Sequence, residues 1–286
     1  MIGEAENSRS PALPANECEL SRELKIAEDL ARRAGTLLQS RQGSDLEIRY
    51  KANGEIVTPA DLASNEIICH GLSTAFPEDG IYSEENQAAA MLSSAARVWM
   101  IDPLDSTSNY VQRGDEYSVS IGLAVRGQAV LGVVYNPARN EMFSGYRGYG
   151  ACWNGIPVRT SFAQAPESAR ILVSSKEWKR GLQVAARNLR VQPMASMAYK
   201  LARVAAGRED AALSMKQRKP WGTCAGTALV LSAGGSVTSL DGELPFFACR
   251  TPIASRGLVA AGIRLHRQML EVAGNLHSSM KARYSA

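Results

Sequence analysis

From Val98 to Trp153 the chain reads as a succession of short strands, and this stretch constrains the fold more than any other. Val98–Ile101 (VWMI) is an apolar strand that runs directly into Asp102. Ser118–Val125 and Ala129–Tyr135 flank Arg126-Gly127 as the arms of a hairpin, and Glu141–Ser144 and Ala151–Trp153 continue the meander. Asn154-Gly155 is a strong turn signal, because both residues tolerate the positive φ that tight hairpin turns require.

Helical patterns precede the strands. Leu24, Ala27, Leu30, Ala31, Ala34, Leu37 and Leu38 form one apolar stripe on a helix beginning near Leu20. Asp45–Lys51 alternates like a strand, and Thr58-Pro59 opens a second helix with Ile67, Ile68 and Leu72 as its buried candidates. Proline suits a first helical turn, where its missing N–H removes no bond. Beyond the meander, Ala165–Glu167 reads as a linker into an alternating half. Its expected elements are strand Ile171–Ser174, helix Ala195–Ala206, strand Ala211–Met215, helix Thr223–Ala233, strands Ser236–Leu240 and Leu258–Ala261, and helix Ile263–Leu276. Interleaved helices and strands predict a mixed α/β (α+β) class built in layers. The expected organisation is a flexible leader over 1–19, an N-terminal α+β unit over 20–164, and a C-terminal α/β unit over 165–286 packed against it.

Composition narrows the function classes. With 45% apolar and 21% charged residues the chain has the balance of a globular protein with a substantial core. A net charge of +4 fits a small anionic substrate and is too weak to argue for a nucleic acid polymer. Five cysteines without a C-x-x-C pair argue against a disulfide framework or structural zinc and for a reducing compartment. The three histidines, His70, His266 and His277, sit in no motif. No window approaches the ~20 apolar residues of a membrane span, and Met1–Glu19 lacks the apolar core of a signal peptide. The expectation is a cytoplasmic protein without a membrane partner.

The chemistry concentrates at Trp99–Asn109 (WMIDPLDSTSN). An apolar strand ends in Asp102 and Asp105, separated by Pro103 and Leu104, so both carboxylates could converge beyond the strand end. Hard cations such as Mg²⁺ need oxygen ligands, and such a turn supplies carboxylates and a backbone carbonyl together. A helix starting after Thr107 would offer N–H groups to a phosphate. The plainer alternative is a turn in which Asp and Ser serve as N-caps. Glu84-Glu85, after a strand-like Gly80–Tyr82, could bind metal or lie in a solvated loop. Thr58-x-x-Asp61 has the form of a capping box.

Taken together, Lys51-x-x-Gly54-x-x-Val57-Thr58-x-x-Asp61, Glu84-Glu85 and Asp102-Pro103-Leu104-Asp105-x-Thr107 resemble the inositol monophosphatase superfamily. Trp221-x-x-x-Ala225-Gly226 followed by Ala233-Gly234-Gly235 resembles its C-terminal signature, so the likeness runs from about Leu20 to the end. The resemblance implies a layered αβαβα sandwich of the inositol monophosphatase and fructose-bisphosphatase type, a homodimer, and Mg²⁺-dependent, Li⁺-sensitive hydrolysis of small phosphomonoesters with two or three metal sites. By the same resemblance Glu84, Asp102, the Leu104 carbonyl and Asp105 are metal ligands. Thr107, paired with Asp61, would orient an attacking water together with Glu84, and the amides of Ser106 and Thr107 would hold the phosphate.

Two positions depart from the pattern. Gly222 stands where the family has an aspartate after the tryptophan, and Ser106 where it usually has a glycine. The first removes a metal-ligand carboxylate; the second places a side chain where glycine permits φ > 0. These departures set a second reading beside the enzyme, an impaired pseudo-phosphatase acting as a binding or regulatory protein. Ser196 and Met197 align with a substrate-lining segment of the family, and the loop before Trp221 carries Lys216 and Arg218. A basic loop there suggests a second anionic group on the substrate, as in 3′-phosphoadenosine 5′-phosphate, rather than an inositol monophosphate. Arg113–Tyr117 (RGDEY) resembles the matching stretch of the bacterial phosphatases acting on that nucleotide.

Overall fold

The computed structural model describes residues 20–43, 47–52, 54–86, 95–247 and 257–284. The leader Met1–Glu19, the beginning of the strand expected from Asp45, and Cys18 and Cys249 lie outside the described residues. Helix α1 (Ser21–Arg41) buries the expected stripe, with Leu37 packed at its margin. Helix α2 (Pro59–Ala75) begins at the expected proline, and Ile68 and Leu72 are buried while Ile67 packs at the edge. Between them Arg49–Tyr50 (β1) pairs antiparallel with Ile56–Val57 (β2).

A seven-stranded sheet follows in simple chain order: β3 (Gly80–Ser83), β4 (Arg97–Asp105), β5 (Ser118–Val125), β6 (Gln128–Asn136), β7 (Glu141–Tyr146), β8 (Gly150–Trp153) and β9 (Ile156–Val158). Only β3 and β4 run parallel. Helix α3 (Thr107–Val111) interrupts the meander after β4. Both two-residue turns have positive φ throughout, Arg126-Gly127 at 49° and 78° and Asn154-Gly155 at 49° and 79°, which matches the twist of the flanking strands. Trp99, Ile101, Val119, Ile121, Leu123, Leu131 and Val133 pack with α1 and α2. By the two-residue period of a strand, Ser118, Ser120, Gly122 and Ala124 take the other face of β5.

The second sheet has the order β11–β10–β12–β14–β13. Its strands are β10 (Arg170–Ser174), β11 (Arg190–Met194), β12 (Ala211–Ser214), β13 (Gly235–Thr238) and β14 (Leu258–Gly262). Short helices α4 (Ser175–Glu177) and α5 (Gln183–Ala185), joined by an irregular turn, link β10 to β11. Neither these nor β11 follow from the sequence pattern. Arg190–Met194 is an edge strand with alternating exposure and a proline, so it lacks the apolar run that marks a central strand.

Helices α6 (Met197–Ala205) and α7 (Cys224–Ser232) pack between the sheets, and α8 (His266–Tyr284) covers the far face of the second. The layers are therefore α1/α2, seven strands, α6/α7, five strands, and α8 with the 175–185 segment, an αβαβα sandwich. Among the described residues Cys69, Cys152 and Cys224 are free thiols, and no helix is long and apolar enough to cross a membrane.

The start of α7 lies unusually close to the first sheet. Gly122 and Gly132 are register partners on β5 and β6. A Cβ on Gly132 would meet Ala225 O at 2.1 Å, and one on Gly122 would meet Ala225 N at 2.6 Å. On the other side, a Cβ on Gly226 would meet Leu201 Cβ of α6 at 2.4 Å. The Ala225-Gly226 pair is thus wedged, with only hydrogen atoms as spacers, between sheet and neighbouring helix. Gly132→Ala should destabilise the protein by about 3 kcal/mol, the upper part of the overpacking range. Urea denaturation checks this, and an unchanged midpoint would show that the backbones are not so close.

Candidate active site

The wedge sets Trp221-Gly222-Thr223 against the end of β4, and the two segments share a cleft of about 590 Å³. Asp102 and Asp105 do not lie beyond the strand end, as the sequence pattern suggests. Strand β4 continues through both, with its register against β5 shifted between them. Residues three apart in a regular strand face opposite ways; the irregularity allows both carboxylates to line the cleft. Pro103 occupies it, where a missing N–H is tolerated, and the Pro103 carbonyl accepts from Ser64 Oγ at 2.8 Å.

Asp102 is buried in an unfavourable setting for a carboxylate. It is 4% exposed, and its Oδ1 has no hydrogen-bond partner. Burial, then the negative charges of Glu84, Asp105 and Asp61, raise its pKa well above the usual carboxylate range. Glu84 lies beside it, and its own pKa is raised by burial against the opposing pull of Lys51. Lys51 Nζ, carried by the segment between β1 and β2, donates to Glu84 Oε1 at 2.8 Å and Glu85 Oε1 at 2.7 Å.

Asp61 serves two purposes at once. Its Oδ2 accepts from Thr58 N at 2.9 Å and Thr58 Oγ1 at 2.6 Å, which closes the capping box of α2. Its Oδ1 accepts from Thr107 Oγ1 at 2.8 Å. Burial raises the pKa of Asp61, and the hydrogen bonds from Thr58 and Thr107 act against that shift. Thr107 Oγ1 also lies 3.3 Å from Leu104 O, and Thr107 lines the cleft. Next to it Ser106 has φ 81° and ψ 54°, the left-handed conformation at the N-cap of α3.

Asp105 turns toward the other half of the molecule. Its Oδ2 accepts from Ser196 Oγ and Ala198 N, each at 2.6 Å, at the N-terminus of α6. Ser196 also caps α6 and is fully buried, so it holds Asp105 in place, whereas its neighbours Ala195 and Met197 line the cleft. This corrects the expectation that Ser196 faces substrate. Lys216 is likewise exposed off the cleft, while Arg218, Lys219 and Lys176 line it. The Arg113–Tyr117 stretch is scaffold: Glu116 Oε2 accepts from Ala195 N at 2.9 Å, and Asp115 pairs with Arg139 at 3.0 Å.

Sequence reasoning missed Lys200, whose ammonium is fully buried one turn into α6. It donates to Met194 O at 2.9 Å and to Ala195 O at 3.4 Å. Burial, then the charge of Arg218, lower its pKa to about 7, while Asp105, Glu177 and Glu116 pull it upward.

The structure thus brings Glu84 and Asp102 together and holds Asp105 in the same wall with one oxygen committed to α6. Among the described residues no three carboxylate, thiol or imidazole groups form a complete ligand set by themselves.

The sequence profile of the inositol monophosphatase family matches residues 19–279. The chain belongs to the inositol monophosphatase family. It is 33% identical over 259 residues to the Nus factor SuhB of Pasteurella multocida, covering 86% of this chain and 94% of that one. It is 31% identical to a histidinol-phosphatase of Chlorobaculum parvum, covering 88% and 97% of the two chains. The structure of the IMPase from Thermotoga maritima matches with a TM-score of 0.80 at 27% identity, over 91% of this chain and 99% of that one.

Within this inositol monophosphatase fold Gly222 lies directly against Asp102: a Cβ on Gly222 would come 3.5 Å from Asp102 Oδ2 and 3.9 Å from Lys219 O. Its backbone is outside the left-handed region, so a side chain fits there.

Two predictions follow from this geometry. Ser106→Gly should stabilise the protein by about 0.5–1 kcal/mol, because relief of the left-handed strain exceeds the extra backbone entropy of glycine; chemical denaturation measures it. Lys200 binds its proton more weakly in the folded chain than in the unfolded one. Folding stability therefore rises with pH between about 7 and 10.5 by up to about 1.4 kcal/mol per unit, the slope of one proton, and this gain is lost as pH falls through the folded value. Lys200→Met should remove that slope, seen as a wild-type-minus-variant stability difference that becomes more positive as pH rises in melts from pH 7 to 10.

Proposed function

We propose that the protein is a Mg²⁺-dependent phosphatase of small phosphomonoesters, and the buried Asp102 Oδ1 without a partner beside Glu84 is the observation that carries this reading. A buried carboxylate beside a second, partly exposed acidic group is costly unless a cation compensates it. A hard cation of this kind is held through one or two carboxylates and keeps several waters. Glu84, Asp102 and the Leu104 carbonyl fit that requirement, with Asp105 at the margin of the site. Mg²⁺ bound there would lower the pKa of water and neutralise phosphate oxygens.

The other steps belong to the chain. Thr107, its hydroxyl proton engaged by Asp61, accepts a hydrogen bond from the attacking water and so fixes the direction of a lone pair toward phosphorus. Glu84 is freed to share that water when Lys51 is displaced from it. The amides of Ser106 and Thr107 receive the phosphate oxygens, and no residue needs to form a covalent intermediate.

A second reading, a binding or regulatory protein with weakened chemistry, draws on Gly222 and on the incomplete carboxylate set. One of its relatives is named as a Nus factor and another as a phosphatase. Calorimetry with Mg²⁺, followed by phosphate release from a substrate panel at several Mg²⁺ concentrations with a Li⁺ control, separates the two. Metal-stimulated release is expected. Tight binding of phosphorylated ligands without any release would support the second reading and sink the first. Gly222→Asp should tighten Mg²⁺ binding and raise turnover, each by about tenfold or more if the added carboxylate contributes one charge-assisted interaction. If neither changes, Gly222 does not occupy a ligand position.

A further inference from the structure

A second charged surface lies away from the cleft. Strand β10 brings Ser174 to the cleft at one end and carries Arg170 at the other, about 13 Å away at the rise of a strand. Arg170 Nη2 donates to Gly207 O at 3.3 Å, and Arg190 on β11 is the register partner of Arg170. The turn at Gly207 also meets the Arg159 backbone, since a Cβ on Gly207 would come 2.8 Å from Arg159 O. The next residue, Arg208, lies over the Trp153 ring at 5.1 Å. Arginines from four separate segments thus surround one turn, and all of them are exposed.

Little acid answers this charge. Arg170 pairs with Asp210 at 3.2 Å, and the neighbouring Glu209 is taken by Arg203 at 2.7 Å. Among the described residues Arg159, Arg190 and Arg208 make no ion pair. Like charges aligned on adjacent strands weaken a sheet, so the fold itself gains nothing from setting Arg190 beside Arg170. Large apolar side chains interleave with the arginines. Ile156, the register partner of Trp153, is 67% exposed, and Phe162, just after the Ser161 amide that packs on the Gly207 turn, is 65% exposed. Arginine beside exposed apolar groups is the composition of a protein interface. A twofold contact with a second copy would set these arginines against themselves. A single-stranded nucleic acid needs a row of open aromatic faces for its bases, but Arg208 lies over Trp153, which leaves Phe162 as the exposed ring of the patch.

We propose that this face docks an acidic, amphipathic segment of a partner protein, with carboxylates held by Arg159, Arg190 and Arg208 and apolar side chains laid on Ile156 and Phe162. The planar guanidinium fork matches a carboxylate with two parallel hydrogen bonds. The face shares no residue with the cleft, so docking and phosphate chemistry are separable.

The test is fluorescence anisotropy on the full chain with three labelled probes. The first is a peptide of three Glu-Glu-Phe-Leu repeats, the second the same peptide with Gln for every Glu, and the third a single-stranded RNA of similar length. The acidic peptide should bind at least about tenfold more tightly than its Gln counterpart, as a few exposed charge pairs together provide. The triple variant Arg159→Gln/Arg190→Gln/Arg208→Gln should lose at least about that factor, and Phe162→Ser should weaken binding as well. A second triple variant, Lys25→Gln/Arg32→Gln/Arg33→Gln, removes the same number of charges from exposed positions on α1 and should leave the affinity at the wild-type value. Because every altered side chain is exposed, melting midpoints should stay unchanged, and melts confirm that each variant is folded. An equal loss in the two triple variants would mean that the peptide follows net charge alone, which overturns the proposal. So would equal binding of the Glu and Gln peptides, or no binding of the acidic peptide at ~1 mM, the weakest affinity of interest. Tighter binding of the RNA than of the acidic peptide, lost in the first triple variant, would assign the face to nucleic acid and overturn the proposal in that way.

Discussion

The contact on which the molecule is organised is between backbones: Ala225, at the start of α7, rests on the Gly122–Gly132 pair of the seven-stranded sheet. Side chains of ordinary size on either glycine would push α7 outward, and with it Trp221, Gly222 and Thr223. The same helix start touches α6 through Gly226 and Leu201. A motif that looks like a string of small residues in the sequence is thus the seat of the middle layer. The small face of β5, Ser118 to Ala124, is the matching surface on the sheet.

Given that seat, the charges of the cleft fall into a definite order. Asp61 is spent on the cap of α2 and on Thr107, Asp105 on the N-terminus of α6, and Glu84 on Lys51. Among the described residues Asp102 Oδ1 is the one fully buried carboxylate oxygen without a partner. Each neighbour has at least one oxygen engaged by a protein group, and the unmet buried demand is focused on that atom. Such focusing is what a site for a small, strongly charged ligand requires, and Lys176, Arg218 and Lys219 line the same cleft.

Much of this was legible beforehand because it depends on local chemistry. The α1 stripe, the proline start of α2, both positive-φ turns and the capping box at Thr58 are each specified within a few residues. Thr58-x-x-Asp61 also illustrates how two readings can both hold: the capping box is formed, and the free oxygen of Asp61 reaches Thr107. Ser106 takes the left-handed conformation that its position in the motif suggested. The extent of β4 was misjudged because Pro103 looks like a strand end, and only the register against β5 shows the strand continuing past it. The contacts of Glu177, Lys200 and Ser196 were hidden for a different reason. Their partners lie in distant segments: Glu177 answers to a loop nearly forty residues later, and Ser196 to Asp105, 91 residues earlier. Neither periodicity nor spacing carries that information.

The middle layer has a mechanical consequence. Helices α6 and α7 pack against both sheets, and residues of both sheets, Val134 and Phe143 from one and Leu172, Ala212 and Val237 from the other, share a single apolar cluster with them. The two sheets are consequently not free to swing apart about a hinge, since any such rotation would tear this common core. The mouth of the cleft is formed instead by short rim segments such as the β1–β2 ribbon, where Tyr50 is 72% exposed.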